Sequence, residues 1–430
     1  MEIRMKKRIL LSVLFIAVFT LSCKTPTKEV KTAYDRPLPP GAEALRKITN
    51  PLEIPDFTMA CLNLTDLREA IDNSRDYLQK PSSRRFFPVS GITHKRVLDS
   101  LDTFAELLDS GLRGAELNMA VRNRFDVYTS IGCDDNGTVL FTGYYTPIFN
   151  GSLTRTEKYK YPLYEQPDDL VKGPTGEILG RKMPDGTIEP YPPRAVIEDS
   201  RMLRGNELAW LSDPFEVYIA HVQGSAKLRL PDGEMTTIGY AANNGHEYES
   251  VARALVEDGR IPGDKISLSA MIDYFKRYKD QVARYVRRNP RFVFFRKEGG
   301  PPLGCLNEPV TRLRSIATDK SIFPRASLTF ISTTLPQATG STVIKRIYSG
   351  FALDQDAGGA IRAPGRCDVY MGIGDTAGKL AGQTYQEGRL YYLFLKEPSM
   401  MAANDRGRVG LGPPTYHGGA KPHPTILQTP

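Results

Sequence analysis

The chain has 430 residues, of which 40% are apolar, 25% charged and 9% aromatic. These fractions exclude collagen, a long coiled coil and wholesale disorder, and the length is ample for a sizeable core. The 37 glycines and 32 prolines point to many turns and so to a strand-rich fold, while a formal charge of +8 is too modest to argue for nucleic acid.

In chain order, a cationic stretch (Arg4, Lys6, Lys7, Arg8) precedes an uncharged apolar run from Ile9 to Leu21. That run is too short to span a bilayer as a folded helix and has the length of a secretory h-region. It closes on Thr20-Leu21-Ser22-Cys23, which resembles a bacterial lipoprotein signal: residues 1–22 would be removed and Cys23 lipidated. Lys24 follows where Asp would retain the protein, so by analogy the expected location is the periplasmic side of the outer membrane, held by acyl chains alone. Ordinary cleavage elsewhere is the alternative. Residues 23–45, polar and Pro-rich, read as a linker. Cys61, Cys133, Cys305 and Cys367 have three possible pairings in an oxidising compartment, and spacing does not choose among them. None sits in a Cys-x-x-Cys and the chain has only five histidines, so no zinc, other metal or cofactor is expected.

Helical spacing runs over Leu64–Gln79 and again through Leu98, Leu101, Phe104, Leu107 and Leu108 to a stop at Gly111. From Phe125 the texture becomes short β-like runs (DVYTSIG, TVLFTGYYTPIF), which continue to residue 240 between Pro-Asp-Gly turns. Helical spacing returns around Val251–Val256, Met271–Phe275 and Val282–Val286. Strands are then expected at Ala326–Thr333, Val343–Leu353, Asp368–Met371 and Leu390–Leu395, and residues 401–430 read as a disordered tail.

The densest chemistry lies in Leu353–Leu395. If 366–371 is a strand, alternation sends Cys367, Val369 and Met371 to one face and Arg366, Asp368 and Tyr370 to the other. A carboxylate between a cation and an aromatic ring, close to Gly358-Gly359 and Asp356, makes a plausible floor for a sugar site. A turn Asp and an edge-strand Asp, both merely solvated, are the plain alternative. Thr142 and Tyr144 share a strand face suited to stacking and hydrogen bonding with a pyranose, or simply to packing. Val222-Gln223-Gly224-Ser225 reads either as an amide beside open backbone or as a β-bulge. Gly372-Ile373-Gly374 with Gly378 imitates a dinucleotide fingerprint, but its spacing is wrong and no βαβ unit surrounds it.

The blocks FTGYYTPIFNGSLTRTEKYKYPLY, VQGSAKLRL, IGYAANNGHEYESVARALVEDGRI, NPRFVFF, ATDKSIFP and DQDAGGAIRAPGRCDVYMGIGDTAGKLAGQ appear in the order seen in the membrane-bound lytic murein transglycosylase A family. The chain resembles that family over residues 130–396, and its last block also resembles the module named for three aspartates, here Asp319, Asp356 and Asp368. The resemblance implies a mainly β fold with helical segments. A double-psi β-barrel catalytic domain would be built from residues 46–147 and 298–400, with a second β-domain with helices, residues 148–297, inserted. It implies a lytic transglycosylase acting on peptidoglycan glycan strands, with Asp368 catalytic and Asp356 and Asp319 supporting it. Thr142, Tyr144, Gln223 and Tyr370 would then be groove residues. Arg366 is expected to point to solvent or to substrate carboxylates. Two departures stand out: the stretch 362–367 is one residue longer than the pattern, and Ala326 stands where it has glycine. A non-catalytic peptidoglycan-binding lipoprotein and a hydrolytic glycosidase on the same barrel remain as competing readings, with a metal site of the three aspartates a weaker one.

Overall fold

The structure, a computed structural model, describes residues 33–397 apart from Ser341. The signal segment, Cys23 and the tail beyond residue 400 lie outside the described residues. Residues 33–45, the second half of the expected linker, are packed on the body. The Tyr34 hydroxyl donates to Glu387 at 2.7 Å, Arg36 pairs with Asp135 at 2.6 Å, and Ala44 is buried.

Two amphipathic helices form where the spacing predicts them, α1 (Leu67–Gln79) and α2 (His94–Asp109). The Thr93 side chain caps α2 by accepting from Arg96 N. A third helix, α3 (Gly114–Arg124), escapes sequence reading because its inward face carries only Gly114, Leu117 and Val121. β1 (Leu45–Lys47), β2 (Phe125–Ser130) and β3 (Val139–Thr146) complete the N-terminal part. The middle of the chain supplies β4 (Ile148–Ser152), β5 (Tyr161–Tyr164), β6 (Leu170–Lys172), β7 (Ile178–Lys182) and β8 (Ile188–Glu189). It continues with α4 (Arg194–Asp199), β9 (Glu207–Leu211), α5 (Pro214–Gln223), β10 (Ser225–Arg229) and β11 (Met235–Asn243). The short helices α6 (Val251–Glu257), α7 (Leu268–Arg277) and α8 (Val282–Val286) follow, then β12 (Val293–Glu298). The C-terminal part holds β13 (Ser315–Ala317), β14 (Leu328–Thr339), β15 (Thr342–Asp356), β16 (Arg366–Ile373), α9 (Gly374–Gln383) and β17 (Tyr385–Leu395).

Six strands close into a barrel in the order β17-β14-β15-β13-β16-β3, with β3 returning to β17. The β13–β15 and β3–β16 pairs are parallel, and β2 extends from β17 with β1 beside it. Strands from both ends of the chain therefore share one wall, with β3 set between β16 and β17. Its core joins helices to strands: Phe57 meets Phe330 at 4.8 Å between ring centroids, and Phe104 of α2 meets Phe351 at 5.0 Å. Each such buried ring contributes roughly 1.5–3 kcal/mol. A second sheet, β12-β11-β10-β4-β9-β5, has its own core with α5 to α8, and β6-β7-β8 form a small third sheet.

Of the two readings of Val222–Ser225, the β-bulge does not form: the segment is the end of a helix. Asp213 accepts from the Phe215 and Glu216 N–H groups, Pro214 occupies the first turn, and Gly224 ends α5 at φ +75°. These are ordinary start and stop signals, hidden in a strand-like composition. α9 was hidden by its Gly- and Ala-rich sequence, and it begins where the false fingerprint lies. Cys61, Cys133, Cys305 and Cys367 are all unpaired thiols. At Ala326 the backbone adopts φ +62°, which is why a glycine suits that position.

Candidate active site

β16 alternates as its sequence predicts. Cys367, Val369 and Met371 enter the barrel core, while Asp368 and Tyr370 face a cleft of about 400 Å³. The parallel register with β3 sets Asp368 beside Thr142 and Tyr370 beside Tyr144. Asp356 ends β15 and lines the same cleft. The opposite wall comes from the second sheet and α5, including Gln223, Tyr240 and Arg291.

Burial in this cleft pushes the Asp368 carboxyl up to about 7. The Arg366 cation and the Thr142 hydroxyl oppose that rise, and the Asp356 carboxylate adds to it. Thr142 stops short of a full hydrogen bond: its Oγ1 and Asp368 Oδ1 are both buried without a partner. Asp356 is held differently. Its Oδ1 accepts from Cys305 N at 2.9 Å and Ala357 N at 2.8 Å, yet burial still lifts it above the ordinary carboxylate range. The Tyr144 and Tyr370 rings lie 5.1 Å apart, and Tyr370 is joined to Thr146 at 2.9 Å through the two hydroxyls. Gln223 Oε1 accepts from Tyr145 N at 3.0 Å, which ties the last turn of α5 to β3.

Two expectations need correction. Asp319 is not in the cleft. Its Oδ1 accepts from the Ser321 N–H and hydroxyl and its Oδ2 from Ala363 N, so both oxygens are spent on holding loops. Asp356 and Asp368 line the cleft, and Asp319 is not among its lining residues. Arg366 does not simply point away: its charge reaches Asp368 and its Nε is buried without a partner. No ion pair within 4.0 Å joins the two among the described residues.

Sequence reading missed several groups. Behind Asp356, the fully buried Asp354 accepts from Thr318 Oγ1, Tyr392 OH at 2.8 Å and Lys320 Nζ. His221 also borders the cleft, with Nδ1 accepting from Arg194 Nη2 at 3.1 Å and Val293 N at 3.2 Å. Those two donors fix Nδ1 as the unprotonated nitrogen of a neutral ring. Arg291, Arg296 and Arg362 line the cleft as well. Arg291 sits in the NPRFVFF block, so its place in that motif was the available signal.

The arrangement is one carboxyl raised to about 7 in a groove, a second anchored carboxyl lining the same groove, and aromatic and amide groups around both. Residues 140–296 match the family model for the MltA specific insert domain, and residues 314–394 match the 3D domain. Both matches are shared with the membrane-bound lytic murein transglycosylase A family, which the chain is similar to. The protein of that name from Escherichia coli is 28% identical over 359 residues, 81% of this chain and 87% of that protein. The one from Vibrio cholerae is 28% identical over 279 residues, 63% and 69% of the two chains. Among solved structures, a membrane-bound lytic murein transglycosylase from Agrobacterium tumefaciens shares the fold with a TM-score of 0.68 at 24% identity, covering 85% of this chain and 100% of that one. E. coli MltA with bound chitohexaose gives 0.64 at 24% identity, covering 86% and 97%. Asp356, Asp368 and Tyr370 fall in the segment matching the 3D domain, and Thr142, Tyr144, Gln223 and Arg291 fall in the insert match.

Proposed function

We propose that this chain is a peptidoglycan lytic transglycosylase that cleaves the β-1,4 bond between N-acetylmuramic acid and N-acetylglucosamine, leaving 1,6-anhydro ends. The glycan lies in the cleft between a double-psi barrel (residues 46–147 and 298–400) and an inserted domain (148–297), in a protein anchored through Cys23 to the outer membrane. The observation that carries the reading is Asp368: a half-buried carboxyl, pushed up to about 7 by burial, lining a groove of about 400 Å³ beside Asp356.

Ordinary glycosidases need two carboxylates, one as acid and one as base or nucleophile. Here the Asp368 proton passes to the glycosidic oxygen, and the bond from the anomeric carbon to that oxygen breaks. The oxygen departs as the 4-hydroxyl of the glucosamine sugar. The 6-hydroxyl of the muramic sugar then attacks its own anomeric carbon, and its proton returns to Asp368. Because the nucleophile is part of the substrate, positioning replaces a bound water and a second catalytic carboxylate. Such intramolecular arrangements are worth up to ~7–11 kcal/mol. Asp356 acts through Asp368 by keeping negative charge beside it, and Thr142, Tyr144, Gln223 and Tyr370 position the sugars.

The test is mass analysis of murein digested by the wild type and by Asp368→Asn. Anhydro ends, one water lighter than reducing ends, are expected from the wild type and absent from a folded Asp368→Asn. Reducing ends from the wild type would favour hydrolysis with Asp356 as base, and binding without product would favour a scaffold role. Anhydro products from the variant would overturn the assignment of Asp368.

A further inference from the structure

We propose that Arg291 and Arg362 form a carboxylate-binding subsite of the cleft that reads the acidic appendage of the muramic sugar. This inference rests on the murein reading above. Both side chains line the groove that holds Asp368. Arg291 is half-buried, and its Nη1 donates to His246 O at 2.9 Å, so the guanidinium is held in place. A Cβ on Gly359 would come within 3.0 Å of Arg291 Nε, so the side chain lies against the Gly358-Gly359 backbone, in the same loop as Arg362.

Charge separates this pair from its neighbours. Arg296 in the same cleft is matched by Glu298 at 3.2 Å, and the buried Arg194 by Glu198 at 3.2 Å. Among the described residues, neither Arg291 nor Arg362 has a carboxylate within 4.0 Å. Burial, and in smaller part the charge of Arg362, weaken the hold of Arg291 on its proton, while the Tyr240 phenol and Glu247 only partly offset this. Two cations held together beside a half-dry groove are costly, and a bound anion offsets the cost. Guanidinium groups bind carboxylates through paired, charge-assisted hydrogen bonds. The muramic sugar carries an ether-linked lactyl group, which ends in a free carboxylate on peptide-free strands and continues into an acidic stem peptide otherwise.

The test compares the wild type with Arg291→Gln, Arg362→Gln and the double variant on three ligands. These are stem-peptide-bearing murein strands, peptide-free strands with the lactyl carboxylate, and a chitin oligosaccharide lacking both. Affinity is measured by calorimetry with turnover blocked by Asp368→Asn, so the result stands even if the lytic chemistry fails, and thermal unfolding confirms folding. The preference for carboxylate-bearing over carboxylate-free ligands is expected to fall about tenfold, the size of one lost charge-assisted contact. A fall confined to the first ligand assigns the subsite to the stem peptide, and one confined to the second assigns it to the lactyl group. An equal loss on all three, or no change on any, overturns the proposal. If Arg291→Gln unfolds, the exposed Arg362→Gln decides alone.

Discussion

Asp368 carries opposite consequences for activity and for stability. As a general acid it must be protonated, so kcat/KM on murein fragments is expected to fall as pH rises through about 7. Asp356→Asn removes a charge that raises Asp368, so that limb should move to lower pH. Arg366→Gln removes a cation that lowers it, so the limb should move to higher pH. A pH–rate series on the two variants checks both signs; shifts in one common direction would mean that neither group sets the proton affinity. For folding, a carboxyl whose native value lies above its unfolded value binds more protons in the native state between those two values. Stability therefore falls as pH rises through that window. Asp368→Asn escapes this loss, and thermal unfolding at pH 8 should show it more stable than the wild type by roughly 1–3 kcal/mol, with the difference closing near pH 4. At this scale the alternation around Asp368 was legible because a strand's period is two residues. The place of Asp319 and the reach of Arg366 were not, since both depend on loops brought together from distant parts of the chain.

Single elements fix how closely the cleft walls approach. Gly143 on β3 faces α9, where a Cβ would lie 2.9 Å from Ala381 Cα and 3.2 Å from a Met371 side-chain atom. Gly143→Ala must push backbone apart, at a cost of about 1–3 kcal/mol, readable as a lower denaturant midpoint. The Lys320–Asp354 pair is buried, at 5% and 0% side-chain exposure. Lys320→Met leaves a buried carboxylate with only the Thr318 and Tyr392 hydroxyls, and is expected to cost about 3–5 kcal/mol in unfolding experiments. Helices with a clear apolar stripe, α1 and α2, could be read directly. α9 could not, because glycine and alanine carry little periodic signal, and α5 was masked by flanking strands despite its Asp-Pro start and Gly stop. The family resemblance singled out Gln223, which lines the cleft, but did not show that it closes a helix.

For the whole molecule, the resemblance carried the barrel and the groove, whereas composition alone went no further than a strand-rich fold. Pro-rich polar sequence over residues 33–45 does not reveal that Tyr34 and Arg36 find partners on the body or that Ala44 is buried. Anchoring is a separate question. Cys23→Ser is expected to release the protein from membranes in fractionation while leaving its turnover of soluble murein fragments in place. Retention in the membrane fraction would overturn the lipoprotein reading.

The ordering of strands in the barrel also constrains how the protein is made. β17 sits between β14 and β2 and also pairs with β3, so the first strands to emerge lack their partner until the last strand arrives. A chain emerging from its N-terminus cannot seal the barrel until nearly all of it has been made. Pairing over so long a separation in sequence slows folding. A chain cut short before residue 385 would remain an open sheet with bare edges, prey to proteases.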